Sequence, residues 1–104
     1  RKKEERLRFS ASAMEELRRV AAKVGEVVTM CEAVLKGEEI EDVTALKLEI
    51  ASMESELQTS HLRRLKSGKC NIVAGLLYGD IMISFSKIAQ LCFSIIAQRK
   101  GLNP

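Results

Sequence analysis

Few side chains in this 104-residue sequence carry chemistry beyond what a packed core uses. His61 is the single histidine, four residues after Leu57 on what reads as the inner side of a helix. A catalytic imidazole needs a nucleophile or an orienting carboxylate within reach. No Ser/His/Asp or Cys/His spacing provides one, so His61 reads as a packed, hydrogen-bonded histidine beside a joint. Cys70 lies near it in sequence and could come close in space, but a reactive Cys–His pair needs a defined environment that lowers the thiol pKa, and the spacing identifies none. The three cysteines, Cys31, Cys70 and Cys92, are odd in number and far apart, which points to neither a disulfide framework nor a zinc site. Cys31 and Cys92 sit in apolar surroundings and fit as small core side chains, in keeping with a reducing compartment. The residues therefore predict no enzyme: no catalytic group, no metal ligand set and no cofactor.

Charge is the second source of chemistry. Arg63, Arg64, Lys66 and Lys69 form a compact basic cluster. It reads either as compensation of a helix C-terminal dipole or as a patch for an anion or an acidic partner, phosphate and lipid head groups included. Ser67-Gly68-Lys69 lacks the first glycine and the Ser/Thr of a phosphate-cradling loop. Arg1, Lys2, Lys3, Arg6 and Arg8 crowd the N-terminus against Glu4 and Glu5, as in a solvated helix start or a segment beside a membrane. Nucleic acid is not expected, because no aromatic residues interleave the charges and no groove-reading motif follows. Asp80 and Lys87 stand seven residues apart in an otherwise apolar stretch. Buried unpaired they would be costly, so they must be exposed or paired across a dimer.

The elements that position these groups are helices. Ala, Leu, Glu, Lys and Arg are abundant, and there are six glycines and one proline. Helices are expected over about 3–36, 41–67 and 71–100, within one domain spanning 1–104. In the first, Met14, Leu17, Ala21, Val24, Val28, Cys31 and Leu35 form a helical stripe, with Ala13, Val20, Val27 and Val34 beside it. In the second, Val43, Leu46, Ile50, Met53 and Leu57 do the same. Asp42 and Asn71 are N-cap candidates, and Gly37 and Gly68 are placed to end helices in a left-handed conformation. Short joints make neighbouring helices antiparallel. The expected fold is all-α: an antiparallel up-down-up three-helix bundle with long helices.

The third helix is apolar on nearly every side, from Ile72 through Ile96. A helix of that kind should be covered all round, and two neighbours cannot cover it completely. A membrane-spanning role fits the length. However, Asp80 and Lys87 lie near its middle, each costing about 2.5–3.5 kcal/mol on insertion scales. The better expectation is an uncovered face used for docking, with a homodimer through this helix.

The second joint carries a resemblance. His61-Leu62-Arg63-Arg64-Leu65-Lys66-Ser67-Gly68-Lys69-Cys70 precedes Gly75-Leu76-Leu77-Tyr78-Gly79-Asp80-Ile81. This resembles the PhoU-like domain at the C-terminal, cytoplasmic end of bacterial-type sodium/phosphate cotransporters, where H-L-x-R-L-x-x-G-x-C leads into G-L-x-Y-x-D-I. The likeness covers roughly residues 40–100, and the first helix by length and pattern alone. It implies a three-helix repeat that regulates phosphate uptake without carrying the transport path. Its partner would be the transmembrane domain of the same polypeptide, and its place the cytoplasmic face of the cell membrane as part of an integral membrane protein. The opening on Arg1 fits a piece of a longer chain, and contact with the membrane surface is a further expectation. Some PhoU-like proteins hold metal clusters through carboxylates. The matching positions here carry Ala51, Ser86 and Gln90, so the resemblance brings no metal site. Two alternatives are a freestanding PhoU-type phosphate-signalling regulator, which would carry two such repeats, and a generic helical oligomerisation or adaptor module.

Overall fold

The structure, a computed structural model, describes residues 9–68 and 71–99. Three helices account for most of them: α1 over Ala11–Leu35, α2 over Thr44–Lys66 and α3 over Ile72–Arg99. Among the described residues there is no strand, and the all-α three-helix class expected from periodicity is what forms.

Each helix begins and ends where local chemistry dictates. Ser10 caps α1, its Oγ accepting a hydrogen bond from the Ala13 amide at 3.1 Å. The helix therefore starts at residue 11, later than the expected residue 3; residues 3–8 of that expectation lie outside the described residues. At its other end Gly37 adopts φ 87°, and the amides of Gly37 and Glu38 donate to Val34 and Ala33 carbonyls. This is a Schellman closure, which glycine makes without steric cost. Asp42 Oδ1 accepts from the Thr44 amide and hydroxyl at the head of α2. Asn71 Oδ1 accepts from the Val73 and Ala74 amides at the head of α3. Gly68, at φ 74°, turns the chain out of α2.

The core follows a seam narrower than the two stripes read from the sequence. On α1 the buried residues are Ala13, Leu17, Val20, Val24, Val27, Cys31 and Val34, spaced 4-3-4-3-4-3. Met14, Val28 and Leu35 from the expected stripe are instead exposed. A strict heptad of this sort keeps one line of side chains facing its neighbours. Leu46, Ile50, Leu57 and His61 form the buried line of α2, and Ala74, Gly75, Tyr78, Ala89 and Ile96 that of α3.

The packing partners order the helices. Val27 of α1 packs with Leu46 and Ile50 of α2, while Val20 and Val24 pack with Leu57. Numbers rise on α1 as they fall on α2, so these two helices run in opposite directions. Tyr78 packs with Ala13 and Leu17, Ala89 with Val20 and Val24, and Ile96 with Cys31 and Val34. Numbers here rise together, so α3 runs alongside α1 in the same sense. Lys23 pairs with Glu49 at 2.8 Å and Arg19 with Glu56 at 3.6 Å along the α1–α2 border.

The third helix is covered on one side only. Ile72, Leu76, Ile83 and Leu91 are between 55 and 75 % exposed, and Val73, Leu77 and Ile88 are also open. As expected, the two neighbouring helices do not cover this rod completely: they cover about one face of it, and the remainder is bare. By length and composition α3 could cross a membrane.

Candidate functional site

At the end of the bundle where α1 starts, α2 ends and α3 starts, three polar side chains converge on Glu16. Its Oε2 accepts hydrogen bonds from Ser60 Oγ at 2.7 Å and Arg64 Nη1 at 3.1 Å. Its Oε1 accepts from Arg64 Nη2 at 2.9 Å and from the Tyr78 hydroxyl at 2.7 Å. Arg64 thus grips the carboxylate with both terminal nitrogens, the fork geometry that suits guanidinium. Arg64 Nη1 also donates to Ser60 Oγ at 3.1 Å. The two charged side chains are only 12 and 13 % exposed. The guanidinium lies 5.1 Å from the centre of the Tyr78 ring, and His61 stacks on the same ring at 4.6 Å, 23° from parallel. One tie therefore joins all three helices.

Helical spacing produces this convergence. Ser60 and Arg64 are four apart on α2 and present side by side. Glu16 immediately precedes the buried Leu17, which places it at the border of the α1 seam. Tyr78 faces inward on α3 and sends its hydroxyl to that border.

The electrostatics follow from the contacts. Burial alone would raise the Glu16 pKa, but hydrogen bonds from Arg64, Ser60 and Tyr78 and the Arg64 charge outweigh it, and the carboxyl is held below its ordinary value. Burial, then the hydrogen bond to Glu16 and its charge, push the Tyr78 hydroxyl up to about 12. Burial, helped by the Arg64 charge, lowers the His61 pKa against the opposing pull of Glu16. His61 is therefore a neutral ring near pH 7. Its Nδ1 is buried and has no hydrogen-bond partner among the described residues, which differs from the hydrogen-bonded histidine expected.

Such an arrangement is built for holding. The nucleophile-like hydroxyls of Ser60 and Tyr78 both donate to a carboxylate that is already ion-paired, and the buried Nδ1 of the neighbouring imidazole accepts from neither. An activated nucleophile needs a base free to take its proton, and the Glu16 carboxylate has had its basicity reduced.

The basic cluster read from the sequence is divided. Arg64 turns inward to Glu16 and is committed there, so it is removed from the expected anion patch. Arg63 and Lys66 are exposed at the end of α2. Lys69 lies outside the described residues, as do Cys70 and the N-terminal basic run at 1–8. Cys31 and Cys92 are free thiols on facing helices, and burial followed by the proximity of Cys31 raises the Cys92 pKa. Ala51 and Gln90 are exposed and Ser86 half-buried. Among the described residues no three His, Cys, Asp or Glu side chains stand close enough to hold a metal ion.

Sequence reasoning missed Glu16 and Tyr78 as site residues. Glu16 is one of several charges on α1, and Tyr78 stands in an otherwise apolar helix. The available signal was positional: Glu16 and Lys23 are seven apart and each precedes a seam residue, and both bridge to α2. No family model, curated protein or solved structure matches this chain.

Proposed function

We propose that this chain is a non-catalytic helical contact module, and that its place is as a cytoplasmic regulatory domain of a sodium-dependent phosphate symporter. The observation that carries the first part is the bare side of α3. Seven large apolar side chains from Ile72 to Leu91 are exposed on a helix that is well capped and well packed on its other side. Apolar patches of this extent mark contact sites. The polar tie around Glu16 supports the same reading, because every hydroxyl in it serves to join helices.

The second part rests on the resemblance in residues 61–81. Three of its matching residues, His61, Arg64 and Tyr78, meet in one stacked group here. The motif then describes a clamp between α2 and α3 that a transporter-borne bundle would keep. In a full-length gene product of this kind, several membrane spans precede residue 1, and a soluble protein in that position overturns the transporter assignment. Leu76→Glu in the full-length protein should change sodium-driven phosphate uptake while leaving the helical circular dichroism of the isolated chain intact. Uptake identical to the parent would contradict a regulatory contact through this face.

A further inference from the structure

We infer that the bare face of α3 is covered by α3 of a second copy, the two helices running antiparallel about a two-fold axis that passes beside Ile83 and Ser84. This rests on the contact reading above and specifies its occupant.

Charge carries the argument. Asp80 and Lys87 are both exposed on α3, and apart from Arg99 in its last turn they are the only charges that helix has. Two turns of helix separate them by about 10 Å along the axis, too far to pair within one chain. Among the described residues neither has an ion-pair partner. A two-fold antiparallel crossing centred between them brings each Asp80 level with the Lys87 of the other copy, and does so twice. A parallel pair would instead set Asp80 against Asp80. Isologous contacts require this kind of self-complementarity.

The same register matches the apolar side chains. Leu76, 67 % exposed, comes opposite Leu91, 65 % exposed. Lys87, Gln90, Leu91 and Ser94 bound a shallow depression on this face, and Leu76 of the second copy reaches it.

A lipid surface fits the face less well. A helix lying in a membrane interface keeps an unbroken apolar side and puts its charges on the other. At 3.6 residues per turn, Asp80, Ser84 and Lys87 run as a polar strip through the exposed apolar residues. Leu76 and Ile83 fall on one side of the strip, Leu77 and Ile88 on the other.

Sedimentation equilibrium of the full chain over a concentration series tests the inference. The parent chain should dimerise. Asp80→Lys and Lys87→Asp should each weaken the dimer by at least about tenfold, because like charges then meet twice. The double swap Asp80→Lys/Lys87→Asp should recover it. Both sites of substitution are solvent-exposed, and unchanged helical circular dichroism shows that each variant folds. A strict monomer at every concentration overturns the inference, as does a dimer indifferent to the single swaps or one that the double swap fails to restore. Sedimentation with anionic phosphatidylglycerol vesicles but no self-association overturns it in favour of a membrane. If the chain is monomeric and Leu76→Glu still alters phosphate uptake, the contact function stands with a different occupant.

Discussion

Glu16 and Arg64 come from positions 48 residues apart in the chain, and their pairing shows what a nearly buried ion pair does for a small bundle. Breaking such a pair is costly because the remaining charge is left without a partner. Glu16→Gln should therefore lower the unfolding free energy by about 3 kcal/mol, and Tyr78→Phe by about 1–2 kcal/mol through one lost bond to a charged acceptor; urea titration measures both. Acid should act on the same group in two stages. The folded His61 has a pKa below its unfolded value near 6.5, so the unfolded chain binds the extra proton first and stability falls as pH drops below about 6.5. The folded Glu16 pKa is also depressed, from 4.5, so its contribution is present above that value and is lost as pH falls beneath it. His61→Phe should keep the stack on Tyr78 and abolish the first stage, which urea midpoints measured between pH 7 and 5 would show. The inward placement of His61 was legible, since it continues the Leu57 line. The commitment of Arg64 was not, because helical periodicity locates a residue on its own helix and is silent on which distant side chain meets it.

The helices themselves were legible to within a turn, except at the start of α1. Their ends are written in capping chemistry, and Gly37, Gly68 and Asn71 perform as their residue types dictate. Ser10 was overlooked as a cap because charged residues before it continue helix-favouring composition, and composition does not register a side-chain bond to an amide. Asn71→Ala should cost about 1 kcal/mol by leaving the Val73 and Ala74 amides without their acceptor, a loss visible as a lower thermal midpoint. The stripe on α1 was read too broadly for a physical reason. Ala21, Val28 and Leu35 keep helical spacing with the true seam residues, and only the directions of α2 and α3 decide which flank is covered. Two neighbours select the 4-3 line from Ala13 to Val34 and leave Met14, Val28 and Leu35 at its edge.

At the scale of the molecule, three helices leave one of their number half clothed. The apolar excess of α3 was plain in the sequence, but which side stays bare was not, since nearly every side looked alike. If that side is shared between copies, dissociation and unfolding are linked, and the thermal midpoint should rise with protein concentration; calorimetry over a hundredfold dilution series reads this, and an invariant midpoint would show that folding draws nothing from association. The parallel course of α1 and α3 has a mechanical consequence. The described chain enters at the Glu16 end and leaves at the Ile96 end, about 40 Å away at 1.5 Å of rise per helical residue. A tug between flanking segments would then slide the first and last helices past each other along their length, so the whole α1–α3 seam bears the load at once, where a hairpin pulled from neighbouring ends would peel open one contact at a time.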